Sequence, residues 1–275
     1  MKEIKAVICD IDGTIRKKGE KDLSPATKDV LQRLHDHGVM LGIASGRSIE
    51  RELLYCAETW GFDFQFDILI GENGAEYYDN FTKELEVLHV LKKEWIKEII
   101  ESLQPFDLNP AMYSHKEKIL LWADTTTNAI NHNIPVYRLV NDVSDFWKED
   151  NKKVMYKVSP DKFDAAYQYI LDHPSEHYKG LLTDVGTIEF VEKHVDKASP
   201  VKKFCEAHGF DINDFYAFGD TTNDNEMIRD CGFGVCMING TQDTKDLSDA
   251  ITELPNEQDG FADYVKKHIL EPRGW

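Results

Sequence analysis

Two carboxylates flank a single apolar residue at Asp10-Ile11-Asp12, and Gly13 and Thr14 follow at once. Acids this close repel, and each tends to hold a proton unless a cation or a reacting group compensates. Magnesium suits the pair, because this hard ion takes one or two carboxylates, waters and phosphate oxygens. A second acidic group stands far along the chain in Gly219-Asp220-Thr221-Thr222-Asn223-Asp224, and two other turns carry Ser45-Gly46 and Lys197. These residue types together can run phosphoryl transfer. A carboxylate can attack phosphorus and carry the phosphoryl group, dividing one displacement into two. A second acid can protonate the leaving oxygen and then deprotonate water. A hydroxyl and an ammonium can hold the phosphoryl oxygens where charge spreads in the transition state, and further acids can hold the metal. Taken alone, residues 10–14 also fit a plain acidic turn after a core strand.

The elements around these groups say where they must sit. Ala6 to Cys9, Val39 to Ala44 and Phe215 to Phe218 are apolar runs suited to strands buried on both faces. Each ends at one of the polar groups, and in an open α/β sheet ligands bind beyond the carboxyl ends of strands. Ser24-Pro25 reads as an N-cap with proline at the first helical position, and Val30, Leu31 and Leu34 form the apolar face of a helix stopping near Gly38. A second helix is expected through about Trp60, then a strand at Asp67 to Ile70 and a turn at Gly71 to Ala75. This alternation predicts an α/β fold with a Rossmann-like, doubly wound parallel-sheet core. From 79 to 188 the pattern changes. Strand-like pieces (Glu86 to Val90, Ile119 to Ala123, Val154 to Val158) alternate with helices at Lys92 to Leu103 and Pro160 to Leu171. A further helix is expected between Thr125 and Asp150. This segment reads as an inserted α+β module, with a core of residues 1–78 plus 189–275. The core pattern resumes with a strand at Ile188 to Val191, a helix at Pro200 to His208, strands at Phe215 to Phe218 and Gly234 to Met237, and short closing helices.

Composition narrows the function classes. Of 275 residues, 41% are hydrophobic and 30% charged, as in globular proteins with ample core. Acids outnumber bases 50 to 32, for a formal charge of −18, so phosphate backbones are repelled and no nucleic-acid partner is expected, except as nucleotides or other small anions. The five cysteines, Cys9, Cys56, Cys205, Cys231 and Cys236, lack CxxC spacing and read as buried or free thiols in a reducing compartment. No signal-peptide core precedes Asp10 and no apolar run approaches the roughly 18 residues of a membrane span, so a cytoplasmic location without membrane attachment is expected. Oligomeric state leaves no signature.

In order and spacing, these motifs resemble the haloacid dehalogenase superfamily, Cof-type branch, with its large α/β (type IIB) cap inserted after the third core strand. Asp10-Ile11-Asp12-Gly13-Thr14 matches the first motif, DxDGT. The resemblance makes Asp10 the nucleophile and a Mg2+ ligand. It makes Asp12 the general acid/base, giving a backbone carbonyl to the metal. Ser45, with Gly46, stands at the phosphoryl-binding position, and Lys197 matches the lysine that neutralises nucleophile and phosphate. Gly219 to Asp224 matches GDxxND: Asp220 as metal ligand, Asn223 contacting metal water or phosphate, and Asp224 orienting the lysine from behind. Gly71-Glu72-Asn73-Gly74-Ala75 resembles the branch's NGA signature at the cap entrance. Asn239 stands where the branch has an asparagine near phosphate, although Ile238-Asn239-Gly240 departs from the usual GNA order, and Ala198-Ser199 departs from the usual glycine after the lysine. Arg47 either binds phosphate or pairs with a surface acid; Asn73 either meets substrate or makes a left-handed turn. Thr14 either caps its turn or meets substrate. In the cap, Tyr113, His115, Arg138 and Lys157 are candidates to face the crevice.

The resemblance implies a Mg2+-dependent phosphatase acting on small phosphorylated metabolites, sugar phosphates in particular, bound between core and cap. Two other readings use the same residues: a phosphotransferase or mutase passing the group to a sugar hydroxyl, and a non-catalytic phosphometabolite-binding protein. The latter needs a broken motif, and none is broken.

Overall fold

The computed structural model describes residues 3–114, 117–124, 137–184 and 186–275. The chain forms two compact units, residues 1–88 with 196–275 and residues 89–195. The first unit opens with β1 (Ala6–Cys9), α1 (Pro25–Asp36) and β2 (Met40–Ala44), then a short helical turn α2 (Cys56–Thr59) and β3 (Ile68–Gly71). A hairpin of β4 (Glu76–Asp79) and β5 (Glu84–Val87) follows. The second unit contains α3 (Lys93–Leu103), β6 (Pro110–Ser114), β7 (Glu117–Leu120), β8 (Tyr137–Leu139), β9 (Val154–Lys157), α4 (Pro160–Asp172), β10 (Tyr178–Asp184) and β11 (Thr187–Glu192). The chain then returns through α5 (Ala198–His208), β12 (Phe215–Gly219), α6 (Asn225–Asp230), β13 (Phe233–Cys236) and β14 (Ala250–Ile251) to its closing helices.

The first unit is the doubly wound α/β sheet that the alternation predicts. Its order is β14-β13-β12-β1-β2-β3-β4-β5, parallel except for the edge hairpin β4-β5. Strand β1 is buried on both faces because its alternate side chains enter two different cores. Val7 and Cys9 pack with Val30, Leu31 and Leu34 of α1 and with Phe261, Val265 and Ile269 near the C-terminus. Ala6 and Ile8 pack with Val201, Phe204, Met227 and Ile228 of α5 and α6. Each fully buried Val, Leu, Ile, Phe or Met side chain among these contributes about 1.5–3 kcal/mol. Helix α1 starts as its sequence predicts: the Ser24 hydroxyl accepts from Thr27 N at 3.1 Å, with proline in the first turn.

The second unit has a six-stranded sheet, β10-β11-β9-β6-β7-β8, mostly antiparallel, with Ile96, Ile99 and Ile100 of α3 packed against Met112, Tyr156, Ile188 and Phe190. Its limits differ from those read in the sequence by one hairpin and one strand. β4 and β5 continue the first sheet beyond residue 78, and β11, whose five buried residues mimic a core strand, pairs antiparallel with β9 and β10. One expected helix also differs. Residues 47–52 form turns, and helical structure starts only with a 3-10 turn at Leu53–Tyr55 that runs into α2; Ile49 N is spent on the Glu76 carboxylate at 2.8 Å rather than on a helical carbonyl. Of the helix expected between 125 and 150, residues 125–136 lie outside the described residues. The remainder holds β8, pairing parallel with β7, and a 3-10 turn at Val143–Trp147. All five cysteines are buried and free, and no helix among the described residues is long and apolar enough to cross a membrane.

The centre of the first sheet is closely packed at Gly42, opposite Ile8 and Ile68. A Cβ there would lie 2.5 Å from Ile8 Cδ1 and 2.6 Å from Ile68 Cγ2. Gly42→Ala is therefore expected to cost about 1–3 kcal/mol of stability through overpacking, read as a lower urea midpoint at unchanged slope.

Candidate active site

The site is built at the carboxyl ends of β1, β2 and β12, which are neighbours in register: Cys9 lies opposite both Ile43 and Phe218. Asp10 extends that pairing, its N–H donating to Phe218 O at 2.9 Å. The chain then turns sharply. Arg16 N donates to Ile11 O at 2.8 Å and Gly13 N to Arg16 O at 3.0 Å. Gly13 has φ +93°, and a Cβ on it would drive into the Asp220 carboxylate, so only glycine leaves room for that acid. Thr14 Oγ1 donates to Asp220 Oδ1 at 3.3 Å, which makes its hydroxyl a brace between the two acidic turns.

Lys197, fully buried just before α5, lies between carboxylates from both turns: its Nζ donates to Asp10 Oδ1 at 2.7 Å and Asp224 Oδ1 at 2.6 Å. The other Asp224 oxygen accepts from Asp220 N at 2.9 Å and Thr221 N at 3.1 Å, capping the turn that carries Asp220. Asp224 thus orients both the lysine and the neighbouring acid. Burial alone would lower the Lys197 pKa, but Asp10 and Asp224 outweigh it and raise it above the ordinary lysine value. Asp10 is raised to about 7, chiefly by burial, with Lys197 opposing and Asp224 and Asp12 adding repulsion. Asp220 is raised to about 8 by burial and by repulsion from Asp10 and Asp224.

Asp10, Asp220 and Asp224 each offer an oxygen within 4.8 Å of the others. One ammonium faces three carboxylates there, and the donors are all hard oxygens. That donor set, with the space left by Gly13, fits a hard divalent cation. Asp12 is outside this cluster and unlike it. Its side chain is 42% exposed, and two arginines hold it. Arg47 donates to Oδ2 through Nη2 at 2.7 Å and Nε at 3.3 Å, and Arg16 donates to Oδ1 through Nη2 and, at 3.2 Å, Nε. Partial burial pushes the Asp12 pKa up, but the Arg47 and Arg16 charges prevail and hold it below the usual carboxylate value. Arg47 also binds Glu52 at 2.6 Å.

On the β2 side, Ser45 is buried and its backbone is fixed on both sides, Ser45 N to Ile70 O at 2.8 Å and Asn73 N to Ser45 O at 3.0 Å. Gly46 packs against the Asn73 carboxamide, which accepts from Asn223 Nδ2 at 3.1 Å. Asn73 is left-handed, with φ 59°, as the turn reading expects, and its carboxamide reaches the GDxxND turn. The structure therefore brings Asp10, Lys197, Asp220 and Asp224 into one cluster, with Asn223, Asn73, Gly46 and Ser45 linked beside it. Asn239 donates to Gly13 O at 3.0 Å, and Asn256 to Thr14 O at 2.7 Å. Asn256, Arg16 and Glu52 went unnoticed in the sequence: they belong to no motif, and Asn256 lies at the far end of the chain from the turn it holds. Of the candidates in the second unit, Tyr113 is buried, Arg138 pairs with Glu117 at 3.2 Å, and Lys157 donates to Thr187 Oγ1 at 2.9 Å. His115 lies outside the described residues.

A family model described as haloacid dehalogenase-like hydrolase matches residues 7–265. Two curated relatives align over nearly their whole length. A Bacillus subtilis phosphatase named for 5-amino-6-(5-phospho-D-ribitylamino)uracil is 24% identical over 96% of this chain and 97% of its own. A phosphoglycolate phosphatase of Methanospirillum hungatei is 23% identical over 97% of this chain and 99% of its own. Among solved structures, a haloacid dehalogenase-like hydrolase from Bacteroides thetaiotaomicron superposes with TM-score 0.78 at 23% identity, covering 96% of this chain and 99% of that one, a likeness of fold.

The raised carboxylates set a pH dependence. A carboxyl whose folded pKa exceeds its unfolded value of about 4 binds its proton more tightly when folded, so its stabilising contribution is present at low pH and lost as pH rises. In chelator, the melting temperature should therefore fall from about pH 5 to about pH 9 as Asp10 and Asp220 ionise through about 7 and about 8. Mg2+ at about a hundred times its dissociation constant should restore about 2.7 kcal/mol, and more at the alkaline end. Thermal unfolding with and without Mg2+ reads both; a Mg2+ effect absent at every pH would contradict the cation fit.

Proposed function

The chain belongs to the haloacid dehalogenase-like hydrolases, and from that membership we propose that it is a Mg2+-dependent phosphatase of small phosphorylated metabolites, sugar phosphates above all. The observation that carries this reading is the Asp10 carboxylate, held by Lys197 at 2.7 Å beside Asp220 at the end of a central parallel strand. Relatives named for a phosphorylated ribityl compound and for phosphoglycolate support small metabolites as the substrate class.

In this reading Asp10 attacks phosphorus, forming an aspartyl-phosphate as the bond from phosphorus to the leaving oxygen breaks. Asp12 supplies the proton to that oxygen. It then takes a proton from water, which attacks phosphorus, releases phosphate and regenerates the Asp10 carboxylate. Mg2+, held by Asp10, Asp220 and the Asp12 carbonyl, would supply the positive charge that lets an anionic carboxylate approach an anionic phosphoryl group. Lys197 adds its buried charge to the same oxygens, Ser45 and Gly46 hold them from the β2 side, and Asn223 holds them from the GDxxND turn. Arg16 and Arg47 keep Asp12 ionised, the form that accepts a proton from water. Donation to the leaving oxygen needs the protonated acid, so bound substrate must weaken the guanidinium contacts. The choice of leaving group is assigned to the second unit, residues 89–195.

A phosphate-release screen over phosphorylated metabolites tests the proposal. Release should require Mg2+ and vanish in chelator. Asp10→Asn should lose all measurable turnover, and Asp12→Asn should lose about 10²–10⁴-fold while accumulating phosphoprotein with wild-type Asp10. Release that persists in Asp10→Asn or in chelator rejects the mechanism. Transfer to added sugars faster than to water would favour the mutase alternative.

A further inference from the structure

Two carboxamides from the last third of the chain fasten the turn that carries the reacting carboxylate. Asn239 Nδ2 donates to Gly13 O at 3.0 Å, and Asn256 Nδ2 donates to Thr14 O at 2.7 Å. They are also fixed to each other, Asn256 N donating to Asn239 Oδ1 at 2.8 Å. The segment carrying Asn239 is tied to the second acidic turn as well: Met237 N donates to Gly219 O at 3.0 Å and Thr241 N to Asp220 O at 2.8 Å. A single turn, residues 237–241, therefore grips Gly13 on one side and Asp220 on the other.

We propose that Asn239 and Asn256 form a latch that sets the spacing between the Asp10–Thr14 turn and Asp220, making both positioning residues for catalysis. The proposal rests on the reading of Asp10 as the reacting group.

Peptide planarity carries the effect. Gly13 N is bound to Arg16 O, so the Asp12 carbonyl in the same trans peptide points the opposite way. The next two carbonyls are the ones the carboxamides hold, so consecutive peptide planes are fixed around the unusual φ of Gly13. The Asp12 carbonyl and the Asp10 carboxylate then have little freedom relative to Asp220. Asn256 is 3% exposed, and its Oδ1 has no hydrogen-bond partner among the described residues. A buried orphan acceptor of this kind costs stability, about 1–3 kcal/mol for a typical group. The side chain is retained for its donor, not for complete satisfaction.

Asn239→Asp and Asn256→Asp keep shape and remove the donor. Each should lower kcat about 10–100-fold with KM changed less than about threefold, since displacement of a reacting group by about 1 Å costs about that much. In the substrate-free protein, hydrogen–deuterium exchange of the peptide spanning residues 10–16 should quicken at least about tenfold. Asn109→Ala is the control: it removes a buried carboxamide that binds Trp122 O at 2.8 Å and Leu121 N at 3.1 Å in the other unit. It should lower the melting temperature without quickening exchange at residues 10–16. Unchanged exchange and kcat in both Asp variants, or the same quickening in Asn109→Ala, would overturn the latch. A wild-type protein that releases no phosphate would end the phosphatase reading, while the exchange comparison would still decide for or against the latch.

Discussion

A buried ammonium between two carboxylates is the constraint on which this site depends. Removing Lys197 from water costs several kcal/mol, and contacts of 2.6 and 2.7 Å with Asp224 and Asp10 offset that cost only because both acids are removed from water too. Asp220 is the third acid of the cluster, and one lysine does not balance three carboxylates. Burial, with repulsion among the acids added to it, raises the proton affinity of Asp10 and Asp220. Protons can settle that deficit at low pH, and a divalent cation can settle it at higher pH, where the carboxylates are ionised. The cluster therefore fits a divalent cation.

The sheet makes this concentration of charge possible. Parallel strands end on the same edge, and β1, β2 and β12 are adjacent in space though far apart in sequence. Their interiors are apolar on both faces, so polar residues are confined to the turns beyond them. The insertion of residues 89–195 does not disturb this arrangement. Leu88 N donates to Ala75 O at 2.8 Å as the chain leaves the first unit, and Gly74 packs against Asp196, where the chain rejoins it. The chain departs and returns at one place, directly before the lysine that completes the cluster.

Much of this was legible in the sequence, for a physical reason. Turns that follow doubly buried strands announce themselves through an apolar run stopped by acids and glycine, so Asp10-Ile11-Asp12-Gly13-Thr14 and Gly219 to Asp224 stood out. Lys197 and Ser45 lacked such contrast and were found through their order relative to those motifs. Burial on both faces is not unique to a parallel core, however. β11 is as buried as β1, and its placement in the first sheet failed on that likeness. The helix expected after Gly46 starts late, at Leu53, because the Glu76 carboxylate takes Ile49 N, a distant partner that periodicity does not reveal. Asn256 was illegible because its value lies in one hydrogen bond to a carbonyl 242 positions earlier, and no local pattern encodes such a contact.

Asp10 and Asp12 show how two identical side chains, separated by one residue, acquire different chemistry. Asp10, still in register with β12, faces inward, where burial prevails and the lysine holds one oxygen; the turn that begins at Ile11 breaks the two-residue alternation. Asp12 turns toward the half-exposed rim, where two guanidiniums prevail and its proton is lost easily. A group that attacks phosphorus benefits from a dry setting with fixed charges, whereas one that exchanges protons with water must touch water. The Asp12–Arg16 contact has helical spacing but occurs in a tight turn, where an isolated bridge between the two residues brings them together. The turn that forces Gly13 into its unusual conformation therefore also delivers a cation to Asp12. The glycine conformation and the different settings of the two acids share one origin.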